Sequence, residues 1–173
     1  MAADSQFGVA LTTLWHDVSS TGAPAGFLAG SPRSDIAKAA AATVEQLRSG
    51  RALGLALVAP DRSLVGFGKL TPGRGVDAHT GELSELMIAP LQQGNGLGTR
   101  LLTELIDRAR ALGLQQLRLA VRDGHRLEDF YRRFGATEYG RLPEWINLTD
   151  PADAGASAPR LVDLLLLRID LRS

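Results

Sequence analysis

Residues Leu86 to Gly98 read LMIAPLQQGNGLG: an apolar run, a proline, then glycines at alternate positions, Gly94, Gly96 and Gly98. An amphipathic helical pattern follows at once. A glycine-rich turn at a helix N-terminus can aim several backbone N–H groups at one point, and the helix adds partial positive charge there. That chemistry suits a pyrophosphate. A side chain at any of the three glycines would hold the anion off the backbone. The spacing matches neither G-x-x-x-x-G-K-[ST] nor G-x-G-x-x-G. Two carboxylates, Glu82 and Glu85, precede the turn. Strand alternation puts them on opposite faces: Glu82 with Ser84, Leu86 and Ile88, and Glu85 with Leu83 and Met87.

These groups need elements to position them. Phe7, Leu11, Leu14, Trp15 and Val18 carry a helical spacing over residues 4–19. A loop over Gly22 to Gly30 leads to a second helix, with Ser31 as cap and Pro32 in the first turn; Gly50 ends it. Ala52 to Ala59 and Leu64 to Leu70 read as two strands joined at Pro60-Asp61-Arg62. After a loop over Thr71 to Thr80, Glu82 to Ile88 is the strand that enters the glycine turn. Leu97, Leu101, Leu105, Ile106, Ala109 and Leu112 form the stripe of the next helix, stopped by Gly113. Gln116 to Val121 is a strand, Leu127 to Phe134 a short helix, Thr137 to Leu142 a strand and Leu161 to Leu171 the last strand. Pro143 to Arg160 is a loop too long for a bare hairpin.

The chain of 173 residues fits one domain over 1–173. Lysine plus arginine equals aspartate plus glutamate, at 19 each, which gives no reason to expect nucleic acid or an anionic membrane as partner. There is no cysteine, hence no disulfide, thiolate metal site or cysteine nucleophile, and a reducing cytoplasm is the expected location. No apolar run approaches the roughly 20 residues of a spanning helix, and the N-terminus lacks the basic start of a signal peptide. His16 and His79 have no partner at metal-binding spacing, so no metal is expected.

Gln93-Gly94-Asn95-Gly96-Leu97-Gly98 reads as Q-x-x-G-x-G, the acetyl-coenzyme A signature of the GCN5-related N-acetyltransferase (GNAT) superfamily, and the chain resembles that family from about Gly81 to Tyr139. Met87-Ile88-Ala89-Pro90 looks like the usual lead-in. Phe130-Tyr131-Arg132-Arg133-Phe134-Gly135-Ala136 is similar to the family's F-Y-x-x-x-G-F/A segment. The segments Gly22 to Ala29 and Gly140 to Glu144 resemble the tabtoxin-resistance type of small acetyltransferase. The resemblance implies an α/β (α+β) fold with a central mixed, mostly antiparallel sheet of about six strands flanked by four helices. Helix-forming residues begin almost at Met1, so the strand with which the family opens is expected to be absent from this sequence, by true loss or by a misassigned start, with Ala52 to Ala59 then a sheet edge. An exposed edge invites pairing with another chain, and a homodimer is expected.

The same resemblance assigns roles. Acetyl-CoA would be held by the backbone of Met87 and Ile88 along its pantetheine arm and by Gln93, Gly94, Asn95, Gly96, Leu97, Gly98 and Thr99 at its pyrophosphate. Counting back from the motif, Glu82 falls where relatives carry a functional glutamate; it is either the base, direct or through water, or a solvated carboxylate at a strand start. Tyr131 matches the tyrosine that lies near the sulfur as general acid, and otherwise is an aromatic packed under the short helix. A phenol is a credible donor to a thiolate at neutral pH. Ala120 stands where relatives of the tabtoxin-resistance type place an aspartate, which weakens a two-carboxylate mechanism. His125 is read as a surface histidine. Glu144 and Trp145, which follow Leu142-Pro143, are expected to line the acceptor pocket, with Trp145 alternatively an aromatic that holds the loop down. The implied activity is transfer of acetyl to a small-molecule primary amine by direct attack in a ternary complex; a protein N-terminal or lysine acetyltransferase and a non-catalytic acyl-CoA-binding module are the alternatives.

Overall fold

The computed structural model describes residues 2–125, 127–149 and 159–172. Helices α1 (Ala2–Ser20) and α2 (Arg33–Arg48) come first, followed by strands β1 (Leu53–Val58), β2 (Leu64–Pro72) and β3 (Thr80–Ile88). Helix α3 (Leu97–Ala111), β4 (Gln116–Arg122), α4 (Leu127–Arg132), β5 (Thr137–Asn147) and β6 (Leu161–Asp170) follow among the described residues. The six strands form one sheet in the order β1-β2-β3-β4-β6-β5. Every neighbouring pair is antiparallel except β3 and β4, which α3 joins as a parallel crossover.

One core lies between the sheet and α3, whose Leu101, Leu102, Leu105, Ile106 and Ala109 are buried. A second lies on the other face, where Leu11, Leu14, Trp15 and Val18 of α1 and Ile36 and Ala40 of α2 meet Phe67 and Met87. Each fully buried leucine contributes about 1.5–3 kcal/mol by leaving water. Close approach of α3 depends on Gly68 of β2, where an added Cβ would lie 2.6 Å from Leu105 Cδ1.

The helix start at residue 32 differs from expectation. Pro32 itself occupies the cap position, and the Ser31 hydroxyl accepts a hydrogen bond from the Leu28 N–H at 3.0 Å. Strand β5 runs past Pro143 to Asn147, where a loop was expected. Proline is tolerated there because β5 is an edge strand with no ladder bond to lose on its outer side. Of the expected loop between Pro143 and Arg160, residues 150–158 lie outside the described residues.

Strand β3 is where alternation fails. Gly68 on β2 stands opposite both Glu85 and Leu86, between the pairs Lys69↔Ser84 and Phe67↔Met87. This is a β-bulge, with Glu85 at φ 55. The extra residue turns the strand over. Leu83 joins the α3 core, whereas Met87 joins the core of α1 and α2. Leu86 and Ile88 pack on the α3 side. The Glu85 carboxylate reaches Thr43 of α2. Glu82 lies opposite in sense to Gly81 and Leu83, which face the α3 core. Glu82 and Glu85 therefore share the α1/α2 face, contrary to strict alternation.

Candidate active site

Strand β3 parts from β4 before it reaches the bulge. The two strands pair only over Thr80–Glu82 and Gln116–Arg118. Beyond that rung they diverge, so β3 from Leu83 to Ile88 and β4 from Leu119 to Arg122 face each other across a gap. A cleft of about 990 Å³ occupies it. Its floor is Leu83 to Ile88 with Leu119, Ala120 and Val121; the glycine turn closes one end and the loop after α1, Thr21 to Gly26, roofs the α1 side.

The turn is built as a donor cradle. Gly94 and Gly96 take φ values of 78 and 76, a left-handed conformation costly for residues with a Cβ, and an added Cβ on either would meet nothing within 4 Å. Gly96 caps α3 without offering a side-chain bond. The Arg100 N–H is bonded to the Gly96 carbonyl at 3.0 Å. The N–H groups of Leu97, Gly98 and Thr99 come before that bond and have no intrahelical acceptor. Those donors, at the positive end of a 15-residue helix, suit an anion. The Gln93 side chain donates to the Ile88 carbonyl at 2.9 Å and ties the turn to the end of β3. Gln93, Gly94, Gly96, Leu97, Gly98 and Thr99 line the cleft, and Asn95 points its amide instead toward the Gln92 carbonyl at 3.5 Å. Gly98 is needed for neither φ nor space, since a Cβ there would sit 3.7 Å from Ile88 in ordinary contact.

Glu82 and Tyr131 both line this cleft. Glu82 stands where β3 and β4 part, with Arg118 Nη2 3.2 Å from its Oε2. Tyr131, on α4, is buried among the α3 core residues with its ring against Phe130. Burial pushes its phenol up to about 12, because phenolate is the form that loses water. Glu85 also lines the cleft, but its carboxylate is held by Lys69 and, at 2.9 Å, by the Thr43 hydroxyl.

Glu144 and Trp145 do not join these residues. They lie on the edge strand β5, where Glu144 has φ 50, its N–H donates to Asp163 at 3.0 Å, and the Trp145 ring is exposed. His125 is exposed at the rim of the cleft, with Arg122 Nη2 2.9 Å from its Nε2. Desolvation, then the charges of Arg122 and Arg160, hold its pKa below the usual histidine value. The same Arg122 nitrogen donates to the Gly22 carbonyl at 2.8 Å, which fixes the roof loop. Trp15 Nε1 donates to Ala25 in that loop at 2.6 Å. The sequence reading missed Arg118, although the pattern of β4 carries the signal: Leu117, Leu119 and Val121 are buried, and Arg118 alternates with them toward the face of Glu82. Among the described residues no group of three or more His, Asp or Glu is placed to hold a metal ion.

The chain belongs to the acetyltransferase (GNAT) family, whose model matches residues 32–136. An L-methionine sulfoximine/L-methionine sulfone acetyltransferase from Pseudomonas paraeruginosa is 32% identical over 109 residues, and its counterpart from Pseudomonas aeruginosa matches equally. The match covers 58% of this chain and spans 57% of the length of those relatives. An N-acetyltransferase from Staphylococcus aureus Mu50 superposes with a TM-score of 0.75 at 17% identity, covering 98% of this chain and 94% of that one. A structure from Salmonella typhimurium, solved with its cofactor acetyl-CoA, superposes with a TM-score of 0.71 at 19% identity, covering 98% and 91%. The six-stranded mixed sheet with four helices is the fold of these neighbours.

Proposed function

We propose that the protein is an acetyl-CoA-dependent N-acetyltransferase that acetylates a primary amine of a small molecule by direct attack in a ternary complex. One observation carries this reading: the β3–β4 gap opens at one end on unpaired helix N–H groups and holds Glu82 and Tyr131 along the same cleft. The small-molecule acceptor class draws support from the relatives named for acting on methionine sulfoximine and methionine sulfone.

When bound, acetyl-CoA supplies the activated acetyl thioester. The N–H groups of Leu97, Gly98 and Thr99 bind its pyrophosphate, and the backbone of Met87 and Ile88, where Gln93 already occupies the Ile88 carbonyl, hydrogen-bonds the pantetheine arm and polarises the thioester carbonyl. Glu82 takes a proton from the acceptor ammonium, directly or through water, so that neutral nitrogen attacks. As the carbon–nitrogen bond forms and the carbon–sulfur bond breaks, Tyr131 donates a hydrogen bond to the leaving sulfur. A phenol pushed up to about 12 by burial is a weaker acid than an alkyl thiol, so full transfer of its proton to the thiolate is uphill. Tyr131 therefore keeps its proton close to the phenol oxygen, and the thiolate's net proton is the one released by the new amide nitrogen.

We also infer a homodimer in the cytoplasm. Strand β1 is a sheet edge, but its Leu53, Leu55 and Leu57 pack against the α3 core. The other edge, β5 with neighbouring β6, exposes Tyr139, Trp145 and Leu161, which favours a partner on the C-terminal side.

Coenzyme A release with a thiol reagent tests the activity, and the cysteine-free chain adds no background. Release that requires an amine, with an acetylated product by mass, is expected. Release that no amine stimulates would contradict the reading.

A further inference from the structure

Glu82 and Arg118 are partners in the last rung of the parallel β3–β4 ladder. Their side chains are 49% and 63% exposed, and the pair stands where the cleft meets a second cavity of about 180 Å³. Glu82 lines both spaces, and Arg118 lines the smaller one. The other charged groups along the cleft are engaged elsewhere. Glu85 is held by Lys69 and Thr43. His125 meets the Arg122 guanidinium, which suits a neutral ring. The Arg133 guanidinium lies 5.3 Å over the Phe130 ring, on the α4 side. Glu82 and Arg118 thus present one anion and one cation together, with Glu82 shared by the two spaces and Arg118 in the smaller one, which Arg74 and Asp77 also line.

We propose that Arg118 selects acceptors that carry an acidic group beside the amine, as an α-amino acid does. This rests on the acetyltransferase reading with Glu82 as the base. A simple amine on Glu82 competes with Arg118 for the carboxylate and gives the guanidinium nothing in return. A zwitterion laid antiparallel to the protein's own pair sets ammonium on Glu82 and carboxylate on Arg118, so all four charges are matched. An α-amino acid separates its two charges by one carbon, which suits two protein groups 3.2 Å apart. The planar guanidinium can also take a carboxylate through two parallel hydrogen bonds, which fixes the amine's direction. Arg118 is a specificity residue on this account; proton transfer remains with Glu82.

The test compares kcat/KM for the standard α-amino acids, their methyl esters and plain primary amines, in the wild type and in Arg118→Gln and Arg118→Lys. Exposed ion pairs add little to folding, so these variants fold, which thermal melts verify. The ester retains the amine and loses only the negative charge. The wild type is expected to favour the best free acid over its ester by roughly 10–100-fold, the worth of one charge-assisted contact. That ratio should fall toward one in Arg118→Gln and recover in part in Arg118→Lys. Equal use of acid and ester by the wild type, or a ratio unchanged in Arg118→Gln, overturns the proposal. Turnover of plain amines but of no amino acid overturns it too, and leaves the acetyltransferase reading standing. No turnover with any amine overturns both.

Discussion

Lys69 and Glu85 form a buried ion pair across the bulge of β3, their side chains 10% and 11% exposed. The Thr43 hydroxyl donates to the same carboxylate at 2.9 Å, so α2 is tied to both strands. Glu85 is the residue with positive φ at the bulge, in the stretch of β3 that has already parted from β4 after Glu82. The pair therefore holds the bulge within the stretch of β3 that floors the cleft.

Removing one partner of such a pair strands a buried charge. Lys69→Met is expected to destabilise the fold by about 3–5 kcal/mol, and adding Glu85→Gln should restore much of the loss. Urea unfolding of the single and double variants measures both numbers. A Lys69→Met protein within 1 kcal/mol of wild type, a margin usual for exposed pairs, would show that the pair is not a structural strut.

Tyr131→Phe should lower kcat by roughly 10²–10³-fold, the usual loss for one positioned donor, with little change in acetyl-CoA affinity. Burial raises the phenol to about 12, so it is protonated, and competent as a donor, throughout the range below that value. The kcat profile should accordingly show no descending alkaline limb from Tyr131 up to about pH 10, where an unperturbed phenol would be half ionised. Glu82→Gln should remove the lower-pH limb of kcat/KM. A Tyr131→Phe enzyme with wild-type kcat would return that residue to a packing role, and an unaltered Glu82→Gln profile would pass the base to water or substrate.

The homodimer is open to sedimentation equilibrium. A dimer is expected at micromolar concentration, and Trp145→Glu on the exposed β5 edge should shift it toward monomer, because a charge replaces apolar surface at the contact. A wild-type chain that stays monomeric at high micromolar concentration removes the proposal.

What the sequence revealed depended on how local the cause was. The turn from Gln93 to Gly98 was legible because two of its glycines adopt φ values that other residues resist. The α3 stripe was legible from periodicity. The bulge was not, because Glu85 is neither glycine nor asparagine, and only its partners Lys69 and Thr43, 16 and 42 residues away, hold it there. Misplacing that one residue put Glu82 and Glu85 on opposite faces. Pro143 hid the end of β5, since an edge position cannot be read from residue order alone. Glu144 and Trp145 were expected at the acceptor pocket from their place after Leu142-Pro143, and the strand that carries them is separated from β4 by β6.

We propose that the cleft between β3 and β4 binds acetyl-CoA through the Gly94–Thr99 turn. Calorimetric titration of the wild type and Gly96→Asp tests it most directly. Aspartate tolerates the left-handed backbone better than most residues, and its Cβ meets nothing within 4 Å, so the variant folds. Its carboxylate places a negative charge where the pyrophosphate is held. One acetyl-CoA per wild-type chain and no measurable binding to a folded Gly96→Asp is the predicted result. Equal affinity in the two proteins would contradict the account and place acetyl-CoA elsewhere.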